Sequence, residues 1–209
     1  MSLRDIADDL LDPLLNGMRR VCRVGAWVGG VFFFAAALLI TVEVFVRKVF
    51  SISTGASDEL SGYGFAIATA FAFAFGLLER THIRVDTFYL YLSARWRAVC
   101  DVFAAVLLLW FFALLLRHGW GVIEDSWRVG ARSRTGLYIS LIIPQLAWGF
   151  GLLLTVVVAV LLLMRALVHL VFGEQEKSSK LIGPRGIEEE VADELAILDE
   201  QRIQESRRQ

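Results

Sequence analysis

Few side chains in this sequence stand where they could do chemistry in apolar surroundings. Glu43 is the one carboxylate embedded in an apolar run, and an ionisable group inside a membrane is a functional candidate by default because an unpaired charge there is costly. It lies one helical turn before Arg47 on the same face, a spacing at which a Glu to Arg pair is favourable. That spacing predicts an ion pair. A proton or ion path needs several polar groups through the bilayer, and below Glu43 only Thr41 is polar down to Val24. The histidines are His82, His118 and His169. Axial haem ligands should project inward from facing helices at matched depth, and only His82 with His169 falls on one side, at its very edge. Cys22 and Cys100 are far apart with no CxxC spacing, so they suggest neither a disulfide framework nor a zinc site and read as packing residues. No catalytic, metal or cofactor-binding residue is expected.

Other polar groups gather between the apolar stretches. Ser57, Asp58 and Glu59 offer capping oxygens and negative charge where a helix would begin. Glu79, Arg80, His82, Arg84 and Asp86 form a mixed-charge knot able to pair internally or with another subunit. Arg128, Arg132 and Arg134 stand opposite Glu124 and Asp125 and are flanked by Trp120 and Trp127 at headgroup level. This basic, aromatic-edged surface is a candidate for docking a soluble protein, with an ordinary solvated loop as the alternative. Ser140 and Pro144 mark a further helix start, where proline is tolerated near the first turn.

The elements that must position these residues are written in the composition. With 56% hydrophobic and 21% charged residues and a mean hydropathy of +0.59, the chain is too apolar for a soluble domain of its size. A net charge of -1 argues against a dedicated nucleic-acid binder, which needs a basic excess. Apolar stretches predict membrane helices at about 24–46, 60–78, 100–123 and 141–164, since a span takes roughly 20 residues. The first follows a polar lead and continues past its small residues, so it is expected to remain in the mature chain. Twelve lysines and arginines flank the spans on the side of the termini, against six on the other side. Both ends are therefore expected to face the cytoplasm.

Residues 1–20 carry Ile6, Leu10, Leu11, Leu14, Leu15 and Met18 at helical spacing, predicting an amphipathic helix flat on the membrane surface. A second interfacial stripe runs through Val85, Phe88, Tyr89, Leu92, Trp96 and Val99. Residues 171–209 form an acidic tail with a short stripe at Ile187, Val191, Leu195 and Leu198, read as a mobile linker and a marginal helix. Within the membrane, Ala66, Ala70 and Ala74 form one small-residue ridge of the second span, and Ala68, Ala72 and Gly76 form another on a nearly opposite face. Lipid gives no hydrophobic reward for helix association, so close backbone approach must supply the contact. The second span is therefore predicted to pack on two sides, with Gly25 and Gly29 of the first span and Gly149 and Gly151 of the fourth as candidate contacts. The fold class that follows is an all-α integral membrane protein: a four-helix membrane domain over 21–170, with short interfacial helices.

The order of these segments resembles a known family. VEVFVRKVF (42–50) ends the first span, SDEL (57–60) opens the second, FAFAFGLLERTHIRVD (71–86) closes it, and SLIIPQLAWGFGLLL (140–154) opens the fourth. This order is similar to that of the small membrane subunit (Q, DctQ-like) of the tripartite ATP-independent periplasmic, or TRAP, transporters, over residues 20–170. Glu59 matches the acidic residue that opens the second span in the family; Ala56 and Ser57 stand where a tryptophan is often found.

The resemblance implies a non-enzymatic subunit of a bacterial inner-membrane complex. In such a complex a periplasmic substrate-binding protein (P) captures a small organic acid and a large membrane subunit (M) moves it with a sodium gradient. The small subunit acts there as a scaffold for the large one and helps the binding protein to dock. On that account Glu59, Gly76, His82, Arg84, Asp86 and Pro144 are structural or subunit-interface positions. The alternative is a four-helix anchor of a haem- or quinone-linked redox complex, for which a Soret absorbance of the purified protein is the discriminating observation.

Overall fold

The computed structural model describes residues 3–51, 55–80, 92–133, 135, 137–172, 181, 195, 198 and 202. Four helices follow in order: α1 (Leu3–Phe50), α2 (Ala56–Leu78), α3 (Ala94–Arg128) and α4 (Ile142–Val171). All four are long and apolar enough to cross a membrane. Apart from them, the described residues hold one isolated antiparallel bridge, between Arg132 and Ser140. At about 1.5 Å per residue, the 23 residues of α2 span about 34 Å, close to a hydrocarbon core of about 30 Å. The 48 residues of α1 reach about 72 Å, so much of it must extend beyond the hydrocarbon.

α1 takes in the segment expected to be a separate surface helix. The chain runs helically from Leu3 through residue 20 into the first span, with Pro13 inside the helix. The amphipathic stripe finds protein: Leu11 and Leu15 are buried, and Leu15 and Met18 join a core built with Cys22, Leu78, Leu162 and Ala166. Asp12 accepts an ion pair from Arg165 of α4 at 2.7 Å. The apolar face that a lone amphipathic helix would turn to lipid is thus partly taken up by the far end of α4. Of the second interfacial stripe, Val85, Phe88 and Tyr89 lie outside the described residues, while Trp96 and Val99 belong to α3. The tail stripe residues Ile187 and Val191 also lie outside them.

Packing runs α1 on α2, α2 on α4 and α4 on α3, with α1 also reaching α4. α4 is the most enclosed element, with 39% of its most apolar window buried against 11% for α1 and for α3. The seams are small residues, as the alternation of α2 predicts. A Cβ added at Gly29 of α1 would meet the Ala68 Cα at 3.0 Å, and one at Gly151 of α4 would meet the Ala70 Cβ at 2.8 Å. Ala68 therefore faces α1 while Ala70 faces α4, so the two ridges do serve two partners. Thr155, fully buried in α4, donates to the Gly151 carbonyl at 3.0 Å and the Ala70 carbonyl at 3.3 Å, adding a polar clasp to that seam. Gly149 turns instead to α3, where its Cβ would meet Ile123 at 2.8 Å. Cys22 is buried and Cys100 exposed, and neither is in a disulfide; only the first is a packing residue.

The Asp12–Arg165 pair is half open to solvent on the aspartate side. A double-mutant cycle with Asp12→Ala and Arg165→Ala, read by thermal unfolding in detergent, is expected to give a coupling of only about 0.2–1 kcal/mol. A larger value would mean that this ion pair, and not the apolar stripe, holds the start of α1 in place.

Candidate functional site

The polar chemistry gathers at the end of the bundle where α1 finishes, α2 begins and α3 turns into α4. α2 starts without a side-chain cap: Gly55 occupies the N-cap position at φ 63, a left-handed conformation that glycine takes at no steric cost. Ser57 is buried with its hydroxyl unpartnered, so the expected side-chain cap does not form, while Asp58 and Glu59 do place negative charge in the first turn of α2. Glu59 also reaches across the bundle. One carboxylate oxygen accepts from the Tyr63 hydroxyl one turn along α2. The other accepts from both Ser133 and Thr135 of the α3–α4 connection. A carboxylate has lone pairs for several donors at once, and charge-assisted hydrogen bonds of this kind are the stronger ones.

The described residues of the connection that Glu59 holds are tied together by hydrogen bonds of their own. Gly130, at φ 58, allows the chain to leave α3 while the Ala131 amide bonds the Ser126 carbonyl at 2.9 Å. The Ser133 amide then bonds the Ile139 carbonyl at 2.8 Å and the Leu141 amide bonds the Ala131 carbonyl at 3.1 Å, closing a hairpin-like loop. Ser133 and Thr135 share a hydroxyl contact at 2.8 Å, and the Thr135 amide donates to Ser133 Oγ at 3.2 Å. The acceptor they share is supplied from a different helix. Loosening Glu59 would therefore release the loop that carries Arg132 and leads into α4.

The other candidates fall as follows. Glu43 is buried and pairs with Arg47 at 3.4 Å, as their spacing predicts. Arg128 is engaged by Glu124 on its own helix at 2.8 Å, whereas Arg132 is exposed on the loop with no ion pair among the described residues. Pro144 is buried in the first turn of α4, where its missing amide costs no internal bond. Gly76 is half-buried two residues before the end of α2. His82, Arg84, Asp86 and Arg134 lie outside the described residues. His118 is exposed, and His169 is buried near the end of α4. Among the described residues, no three His, Cys, Asp or Glu side chains converge as a metal site would need.

Tyr63, Ser133, Thr135 and Thr155 are site and seam residues that reading the sequence missed. Tyr63 alone left a trace, since it follows Glu59 at helical i,i+4 spacing.

Four apolar helices packed α1 on α2, α2 on α4 and α4 on α3, with small-residue seams inside and polar clasps at the ends, define a multi-pass membrane protein. Residues 36–169 match the family model described as tripartite ATP-independent periplasmic transporters, DctQ component, and the chain belongs to that family. It is thus a small membrane component of a TRAP transporter. Compared with curated proteins, the chain has no match.

Proposed function

We propose that this chain is the auxiliary scaffold subunit of its transporter. It braces the large membrane subunit and helps the substrate-binding protein dock during sodium-gradient-driven uptake of a small organic acid across the bacterial inner membrane. The observation that carries the reading is the contrast between inside and outside. Inside, backbone-close seams at Ala68–Gly29 and Ala70–Gly151 fill the space between helices. Outside, α1 and α3 present long apolar faces, including Phe33, Phe34 and Phe45 on one and Phe103, Trp110 and Phe111 on the other. Such a bundle is built to be held by lipid and by a neighbour.

The excess of lysine and arginine on the side of the termini supports a cytoplasmic placement for both ends. The Glu59 clasp and Arg132 then face the periplasm, where the binding protein arrives. Glu59 and Pro144 set the shape of that surface and Arg128 and Arg132 supply its charge, with Arg134 assigned to it from the sequence; Gly76, His82, Arg84 and Asp86 are assigned, on the family resemblance, as contacts with the large subunit. A pulldown from native membranes with this chain as bait is expected to recover a much larger multi-span protein. Recovery of a haem-bearing or quinone-linked enzyme in its place would refute the assignment.

A further inference from the structure

About 20 residues into α1, level with the last turn of α2, a groove of about 430 Å³ opens between α1 and α2, lined by Arg23, Trp27, Gly30, Val31 and Phe34 with Phe75 of α2 across from them. Its lining is apolar except for Arg23. Along α1 the groove continues a basic stripe, because Arg19 and Arg20 precede Arg23 by one turn on the same side. All three arginines are exposed, and none forms an ion pair among the described residues. The nearest described carboxylate on this stretch of α1, Asp12, is turned to Arg165. From Arg23 to Phe34 the helix rises about 16 Å, the depth of one leaflet's hydrocarbon. Gly30 leaves the floor open, since a Cβ there would meet nothing within 4 Å.

We propose that this groove is a binding site for one anionic phospholipid in the leaflet on the side of the chain termini. The phosphate sits on Arg19, Arg20 and Arg23, and an acyl chain lies along Trp27, Gly30, Val31 and Phe34. Charge complementarity selects the occupant. A neighbour's apolar helix would fill the groove but leave the three guanidinium groups without a counter-charge, whereas an anionic headgroup followed directly by a chain satisfies both halves. Juxtamembrane basic clusters attract anionic lipid, and here the cluster adjoins a slot of leaflet depth. The groove is separate from the Glu59 clasp, which lies at the opposite end of the bundle.

The test is native mass spectrometry of the full chain, alone and in the complex it co-purifies with, titrated with phosphatidylglycerol and with phosphatidylcholine of identical acyl chains. Phosphatidylglycerol is expected to bind at least tenfold tighter, with about a fivefold loss for each of Arg19→Gln, Arg20→Gln and Arg23→Gln. Gly30→Phe, which fills the floor, is expected to weaken both lipids while leaving the folded chain intact; Val31→Trp crowds the same slot from its rim and is expected to do likewise. Equal affinity for the two lipids would overturn the proposal. So would arginine variants that keep the preference, groove-filling variants that bind as the parent does, or loss of the lipid from the assembled complex, which would mean that a partner covers the groove.

Discussion

Replacing Gly151 with leucine is expected to separate α2 from α4 and leave little folded protein. A single Cβ at this position already lies 2.8 Å from the Ala70 Cβ, 3.1 Å from its carbonyl carbon and 3.2 Å from the Phe71 amide nitrogen. Two of those atoms are backbone, so the helix opposite cannot yield by turning a side chain. It must move as a body, which also strips Thr155 of its bond to the Ala70 carbonyl. Overpacking a tight interior typically costs about 1–3 kcal/mol, and this site belongs at or above the top of that range. Gly151→Ala adds only that one Cβ and should fall within the range, at about 1–2 kcal/mol. Gly121→Leu, at a position where an added Cβ meets nothing within 4 Å, should stay within about 0.5 kcal/mol of the parent. Thermal unfolding in detergent followed by size-exclusion chromatography reads all three. A Gly151→Leu protein as stable as the parent would show that the α2–α4 seam does not organise the bundle.

Glu59→Ala is expected to spare the bundle and damage the coupling of transport to the binding protein. Tyr63, Ser133 and Thr135 all lose their acceptor at once, and the loop between α3 and α4 loses its tie to α2. In proteoliposomes carrying the whole transporter, the concentration of binding protein needed for half-maximal uptake should rise roughly tenfold, the scale of losing a charged hydrogen-bond partner. The maximal rate should change far less. Glu59→Gln keeps one carbonyl oxygen as acceptor, which cannot serve both Tyr63 and the two loop hydroxyls, so it should fall in between. A variant that lowered the maximal rate alone would place Glu59 in the transport step and contradict a docking role.

The sequence made the helices and their seams legible for a physical reason. In lipid, close approach depends on small side chains, and small side chains are visible as letters: Ala68 and Gly29, and Ala70 and Gly151, could be assigned to contact faces from spacing alone. The Glu43–Arg47 pair was legible for the same reason, being contained within one turn of one helix. Glu59 was recognised as a position but not as an acceptor for Ser133 and Thr135, because those partners come from a loop far along the chain and no periodicity links them. The continuity of α1 was hidden too. An amphipathic stripe shows that Leu11 and Leu15 seek an apolar surface; whether lipid or the end of α4 provides it depends on where α4 ends in space, which local pattern does not encode. Capping at Ser57 failed because Gly55 turns the chain instead.

The central claim, that this chain serves a transporter without carrying solute itself, is tested most directly by sodium-driven uptake into proteoliposomes in the presence of the binding protein. Three preparations are compared: the large subunit with this chain, the large subunit alone, and this chain alone. Uptake is expected only from the first. Full-rate uptake by the large subunit alone, or solute flux through vesicles holding only this chain, would contradict the account.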